Sequence, residues 1–294
     1  MKPQSFEYAA PATLAEACDV LASRAEEAKV LAGGQSLVPM MALRLARPEL
    51  VVDLNGVAGL DELSVGEDGL RLGALVRHRR LERGPVDGPL TSLLARAARH
   101  IGHPPIRARG TVCGSLAHAD PAAEWCLVGV ATDAQVGVVS AGGRRELTVD
   151  ALLDGPFSTT LEPDEVIADV TFPAWRPGRH GAGLAERSRT AGGFAELAAC
   201  AVLEVADATV AAAAVAVVGA AGRPVRLPGT EAALVGSPAG PGGSWAGTVA
   251  RAGALAVTEV PDRGDGGYAA AVLGALVEEA LTQAQEEVRR WTSD

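Results

Sequence analysis

Residues 101–124 constrain this chain more than any other stretch. They read Ile101-Gly102-His103-Pro104-Pro105-Ile106-Arg107-Ala108-Arg109-Gly110-Thr111-Val112-Cys113-Gly114-Ser115-Leu116-Ala117-His118-Ala119-Asp120-Pro121-Ala122-Ala123-Glu124. Small, polar and turn-forming residues dominate, with neither a helical nor a strand period. The sequence therefore predicts a loop of more than twenty residues without regular structure. A loop of that length inside a compact domain is usually functional. Thr111, Gly114 and Ser115 offer a nest of backbone donors, and Asp120 and Glu124 supply acceptors. A nucleotide carrying both a diphosphate and a ribose needs that mixture.

A second turn has related chemistry. In Val30-Leu31-Ala32-Gly33-Gly34-Gln35-Ser36-Leu37 a short strand leads into two glycines and then a helix start. Successive N–H groups in such a turn can converge on an anion, and the missing Cβ atoms let phosphates come close. Ser36 stands at the capping position with a hydroxyl. Gly-Gly turns between strand and helix also serve purely structural roles, so this turn alone decides nothing.

Charge and composition remove several other readings. The net charge of −10 leaves no basic face for a phosphate backbone, which argues against nucleic acid. Lys2 and Lys29 are the only lysines, and no Gly-Lys dipeptide exists, so a Walker phosphate loop is excluded. Neither a Gly-x-Ser-x-Gly elbow nor a GxGxxG fingerprint is present, which leaves hydrolase and Rossmann readings without support. The apolar run at 208–222 is too short for the ~20 residues of a membrane span and reads as a buried strand. The N-terminus lacks an apolar h-region, and Cys18, Cys113, Cys126 and Cys200 are widely spaced. No disulfide framework, zinc site or iron–sulfur site is expected, and a reduced, cytoplasmic protein is.

Pattern divides the chain into three regions. Residues 1–56 read as an amphipathic helix over 14–24, a strand at 29–31, a helix running through Met40 and Arg44, and a strand at 50–54. Residues 57–176 change to short strands, with hairpins around Glu67-Asp68-Gly69 and Gly142-Gly143 and a helix over 90–100. A Pro/Gly-rich linker at 173–183 precedes a third region, 180–292. There, 194–205 and 208–218 alternate like paired strands, and helices over 245–256 and 268–290 follow a Gly/Pro-rich loop at 236–243. The fold class expected is α+β.

The segments AGGQSL (32–37), IGHPPIRARGTVCGSLAHADPAAEW (101–125) and EPDEVIADVTFP (162–173) resemble the FAD-binding medium subunit of the xanthine dehydrogenase and carbon monoxide dehydrogenase family of molybdenum hydroxylases. The resemblance extends over essentially the whole chain. It implies the two-subdomain FAD-binding fold of the vanillyl-alcohol oxidase (PCMH) type plus a small C-terminal α+β domain, with FAD as cofactor. It implies that residues 30–37 form the first diphosphate-binding turn and that Thr111, Val112, Cys113, Gly114 and Ser115 form the second, with Cys113 where the family usually has glycine. Ile101 then lies beside the isoalloxazine, Glu124 occupies the acidic position on the ribose or adenine side, and Ala119 and Asp120 are also among the cofactor-binding residues. The backbone of Ile167 approaches the flavin. The partners implied are a large molybdopterin subunit and a small 2Fe–2S subunit, with electrons passing through FAD to NAD, a quinone or oxygen.

Two positions depart from the family pattern. Gly193 stands where relatives have an aspartate, and Ala185 stands near a lysine that contacts flavin in some of them. Both changes remove polar groups expected beside the isoalloxazine. A stand-alone FAD-dependent oxidase or monooxygenase, using space beside Gly193 for a substrate, is therefore the alternative to an electron-transfer subunit. His100, His103, His118 and Asp120 do not read as metal ligands, because Gly102 and Pro104 break any helix that would align them. Cys113 reads as a small residue in a tight turn rather than a reactive thiol. The charged residues from Glu278 to Arg290 read as the solvated face of a terminal helix.

Overall fold

The computed structural model describes residues 2–84, 87–190, 192–239, 245–261 and 264–292. Residues 240–243 of the loop expected at 236–243 lie outside them.

The first unit is a small parallel sheet. Strand β1 (Glu7–Ala9), helix α1 (Leu14–Arg24), β2 (Ala28–Leu31), α2 (Leu37–Ala42) and β3 (Leu50–Asp53) follow in order, and the strands pair β1-β3-β2. Helix α1 begins where Thr13 accepts from the Glu16 amide and Glu16 accepts from the Thr13 amide. That reciprocal cap leaves the apolar side of the helix free to bury Ala17 and Leu21. Helix α2 is shorter than its sequence predicts. It ends at Ala42 because Arg44 turns into a left-handed conformation with φ 60°.

The second unit is an antiparallel sheet, β4-β5-β10-β6-β7, built from β4 (Leu63–Gly66), β5 (Gly69–Gly73), β6 (Gln135–Ser140), β7 (Gly143–Thr148) and β10 (Val166–Pro173). Both hairpins expected from the sequence form here. The small β8 (Leu153–Gly155) and β9 (Ser158–Thr159) pair separately. Asp169 is the polar fastening of this sheet. Its side chain is only 2% exposed and accepts from Arg71 at 2.6 Å and from Arg144 at 2.9 and 3.0 Å. Helices α3 (His78–Leu81), α4 (Pro89–His100), α5 (Pro104–Arg109), α6 (Val112–His118), α7 (Glu124–Ala131) and α8 (Val149–Leu152) complete the unit.

The expected structureless loop at 101–124 is therefore wrong. Helices α5 and α6 occupy most of it, and α7 starts at its last residue. Pro104 and Pro105 pre-set the first turn of α5, and the Thr111 hydroxyl caps α6 by accepting from the Gly114 amide at 3.0 Å. Helices of six and seven residues are too short to display an apolar period, so the pattern was invisible.

The linker is also shorter than expected, because β11 (His180–Ser188) begins inside it. β11, β12 (Ala195–Ala206), β13 (Thr209–Val218) and β14 (Val225–Arg226) form an antiparallel sheet in chain order. The run at 208–222 is thus a strand, and no helix among the described residues is long and apolar enough to cross a membrane. Side chains alternate across this sheet. Ala182, Leu184, Ala198, Cys200 and Val202 join the core of the second unit against α4 and α7. Ala185, Leu197, Ala199, Ala201 and Leu203 face the other way. They pack with α9 (Pro228–Leu234), α10 (Trp245–Glu259) and α11 (Tyr268–Arg290).

Candidate functional site

The three parallel strands end at one edge, where Leu31 is in register with Asp53 and Ala9 with Val52. Crevices outside the carboxyl ends of parallel strands are where ligands collect, because the loops leaving them are free of the sheet. The Gly33-Gly34 turn leaves β2 at this edge, and a single 3-10 turn, Leu54–Gly56, leaves β3 beside it.

The turn does not stand alone. A Cβ on Gly33 would overlap the Arg109 carbonyl oxygen and sit 2.7 Å from the Gly110 Cα. The two segments singled out by sequence are thus in van der Waals contact across the seam between the first and second units. Gly34 adopts φ +71°, a conformation that disfavours side chains. Ala32 accepts from the Asn55 side chain at 2.8 Å, and Gln35 donates to the Gly33 carbonyl at 3.2 Å. Ser36 does sit at the start of α2, but its hydroxyl makes no capping bond. Val30 and Leu31 are half-buried in β2, and Leu37 opens α2.

On the other side of the seam, Arg77 to His78 run beside Gly110 to Val112. His78 N–H donates to the Gly110 carbonyl at 3.1 Å and Val112 N–H to the Val76 carbonyl at 3.3 Å. Behind them, Trp125 Nε1 donates to His78 Nδ1 at 3.0 Å. Burial, reinforced by Arg77 and Arg107, pushes the His78 pKa down to about 3, so the ring is neutral and Nδ1 is free to accept. This buried pair holds the α5–α6 corner from below.

Residues 111–115, expected to form a nest, make up the N-cap and first turn of α6. Gly114 N–H is taken by the Thr111 hydroxyl, Ser115 N–H by the Thr111 carbonyl at 3.1 Å, and Val112 N–H by Val76. Cys113 is buried, and burial pushes its thiol well above the ordinary range, which fits an inert packing residue. Ala119 ends α6 with φ 49°, and Asp120 uses one carboxylate oxygen to accept from Ala122 N–H at 2.9 Å. Ile101 packs on the second core at the end of α4, and Ile167 lies buried in β10 next to its bulge.

Glu124 opens α7 and is buried. Burial raises its pKa to about 8, with Glu186 and Asp120 adding to the effect, so at neutral pH it is mainly an acid that donates as well as accepts. Glu186 on β11 is its neighbour from the C-terminal sheet. Its side chain is 3% exposed, burial lifts its pKa to about 7, and Oε2 has no hydrogen-bond partner. His100 Nδ1 lies 3.5 Å away, outside hydrogen-bonding geometry.

This corrects the reading of position 185. Ala185 points into the core against α11, away from the FAD-binding units, and Glu186 is the residue of β11 that faces them. Gly193 closes a turn in which its N–H donates to the Thr190 carbonyl at 2.9 Å, and a Cβ there would meet the Thr190 hydroxyl at 2.7 Å. Sequence reasoning missed Asn55, Arg77, His78 and Glu186. Asn55 alone carried a signal, since it lies in the turn that leaves a strand of the parallel sheet. A cavity of about 490 Å³ lined by Ala233, Gly236, Ser237, Thr248 and Arg251 belongs to the C-terminal unit and takes no part in this seam.

Residues 4–175 match the family model for the FAD binding domain in molybdopterin dehydrogenase, and residues 184–287 match that for the CO dehydrogenase flavoprotein C-terminal domain. The chain belongs to the FAD-binding medium subunits of this molybdenum hydroxylase family. Its cofactor is FAD, and it is an oxidoreductase subunit. It is 40% identical to the nicotine 6-hydroxylase medium subunit of Paenarthrobacter nicotinovorans over 97% of this chain and 99% of that one. It is 32% identical to the carbon monoxide dehydrogenase medium chain of Hydrogenophaga pseudoflava, over 97% of this chain and 98% of the relative. In structure it is similar to carbon monoxide dehydrogenase from Hydrogenophaga pseudoflava in a form lacking the Mo-pyranopterin moiety, with a TM-score of 0.90, 32% identity and coverage of 98% and 99% of the two chains. Quinoline 2-oxidoreductase from Pseudomonas putida 86 gives a TM-score of 0.87 at 30% identity, covering 98% and 99%.

The residues present fit the cofactor. A turn at a strand edge with no Cβ at Gly33 or Gly34, two arginines at the same seam and, on β11, a buried Glu186 oxygen (Oε2) with no hydrogen-bond partner suit an elongated dinucleotide with a diphosphate and a ribose.

Proposed function

We propose that this chain is the electron-transfer subunit of a three-component hydroxylase. It takes electrons from the 2Fe–2S clusters of a small subunit, which a molybdopterin large subunit reduces, and passes them to an external acceptor. The single observation that supports this reading is the close approach of Gly33 to Arg109 and Gly110, which brings the two Gly-rich segments together in a chain whose relatives are named as subunits of larger enzymes.

FAD, when bound, supplies the redox chemistry. The chain's own residues bind and orient it. Residues 30–37 and 111–115 would hold the diphosphate, Ile101 and the backbone of Ile167 the isoalloxazine, and Glu124 the ribose or adenine side, with Ala119 and Asp120 among the cofactor-binding residues. No side chain among them acts as an acid or base on an organic substrate. Cys18, Cys113, Cys126 and Cys200 are all free and buried, which leaves cluster ligation to a partner chain. The reading keeps the division into 1–56, 57–176 and 180–292.

Co-expression with molybdopterin and 2Fe–2S subunits encoded beside it tests the proposal. The expected result is a stable complex whose flavin is bleached anaerobically by the substrate of the large subunit, while the isolated FAD-loaded chain is unaffected by the same compound. Turnover of an organic substrate with oxygen by the isolated chain would overturn it.

A further inference from the structure

The seam holds two arginines whose contacts are not direct ion pairs. Arg77 Nη1 donates to the Arg109 carbonyl, and Arg77 Nη2 donates to the Asn55 side-chain oxygen. Asn55 in turn donates to the Ala32 carbonyl at 2.8 Å. One chain of hydrogen bonds thus runs from the Gly-Gly turn through Asn55 and Arg77 to Arg109. Both acceptors on Arg77 are neutral. Among the described residues neither Arg77 nor Arg109 is ion-paired with a carboxylate, whereas Arg71, Arg144, Arg145 and Arg226 are.

The two guanidinium groups feel each other. Burial and the facing Arg109 charge hold Arg77 below the usual arginine range. The carboxylate that feels the Arg109 charge is Asp53, and its oxygens are engaged by the Tyr8 hydroxyl at 2.6 Å and the Asn55 amide at 2.8 Å. Asp53 and Asp61 offset part of the repulsion at Arg77 without forming an ion pair to it, and an added anion at this half-buried site would relieve the rest.

We propose that Arg109 is an ionic ligand of the FAD diphosphate and that Arg77 is the positioning residue that aims it. Arg109 is exposed, and its backbone lies against Gly33 with no Cβ between. Its planar fork suits two oxygens of a diphosphate, a geometry lysine cannot reproduce. The Gly114 and Ser115 amides at the start of α6 are already engaged by Thr111, so a side-chain charge adds to what residues 111–115 can offer a diphosphate. This rests on the reading of the Gly33-Gly34 turn as the diphosphate site.

The test is the FAD dissociation constant of the full chain, titrated from the flavin-free form at low and high potassium chloride. For the unaltered chain, affinity should fall as salt rises. Arg109→Gln should bind FAD about ten- to hundredfold more weakly at low salt, with most of the salt dependence gone. Arg109→Lys should keep the salt dependence and recover part of the affinity. Arg77→Lys should weaken FAD while leaving the salt dependence in place, as expected of a residue that aims rather than touches. If Arg109→Gln matches the unaltered chain at both salt concentrations, or loses affinity equally at both, the inference is overturned while the site reading stands. An unaltered chain that binds no FAD would overturn both.

Discussion

Gly33 and Arg109 touch so closely that no other residue fits at position 33: an added Cβ would overlap the Arg109 carbonyl oxygen. From sequence, a side chain at this turn is expected to obstruct the diphosphate. The structure puts the clash first against backbone of the second unit. Gly33→Val should therefore push the α5–α6 corner away from β2, lower stability by about 1–3 kcal/mol and abolish FAD binding. Denaturant unfolding and flavin titration of the same preparation check it. Full FAD affinity in Gly33→Val would show that the seam is not the cofactor site.

Asp169 gives a prediction about stability alone. The carboxylate is buried between two half-exposed arginines, which hold its pKa below the ordinary carboxylate range despite burial. Asp169→Asn removes the charge but keeps the shape, and should cost about 1–3 kcal/mol in urea unfolding. Arg71→Gln alone should cost less, because Arg144 still supplies two hydrogen bonds. Equal costs for the two variants would contradict a shared carboxylate.

Stability should depend on pH through two opposed contributions whose windows overlap between the unfolded carboxylate range and about 6.5. Glu124 and Glu186, with folded pKa values of about 8 and about 7, hold protons that the unfolded chain has already released. Stability therefore falls as pH rises from the unfolded carboxylate range up to about 8. His78, at about 3 when folded, stays neutral while its unfolded counterpart protonates. Its contribution is lost as pH falls from about 6.5 towards 3. Thermal unfolding of the flavin-free chain should show stability falling towards pH 8, with His78 partly offsetting the fall below about 6.5. Glu186→Gln should flatten that fall, and an unchanged fall in that variant would refute this assignment.

The elements that sequence revealed are those with a period or a punctuated turn. Helices α1 and α11 fall where alternation of apolar residues places them, and the hairpins at 63–73 and 135–148 are marked by their glycines. The two Gly-rich segments were legible as chemistry because they are rich in unusual residues. What joins them was not. Asn55, Arg77 and the His78–Trp125 pair act through contacts between residues far apart in sequence, and single polar residues carry no pattern. Helices α5 and α6 escaped because caps and prolines make them, not periodicity. Position 185 was assigned to the wrong face because a one-residue step on a strand reverses the side chain, and only the pairing register fixes which neighbour faces inward.

The most direct measurement is the identity and amount of flavin released when the purified chain is denatured. The expected result is a yellow protein that gives up one FAD per chain, with FMN absent from the extract, because the seam supplies a turn and two arginines for a diphosphate. A colourless protein that takes up no FAD on titration, or one that carries FMN instead, would contradict the assignment of this seam as a dinucleotide site.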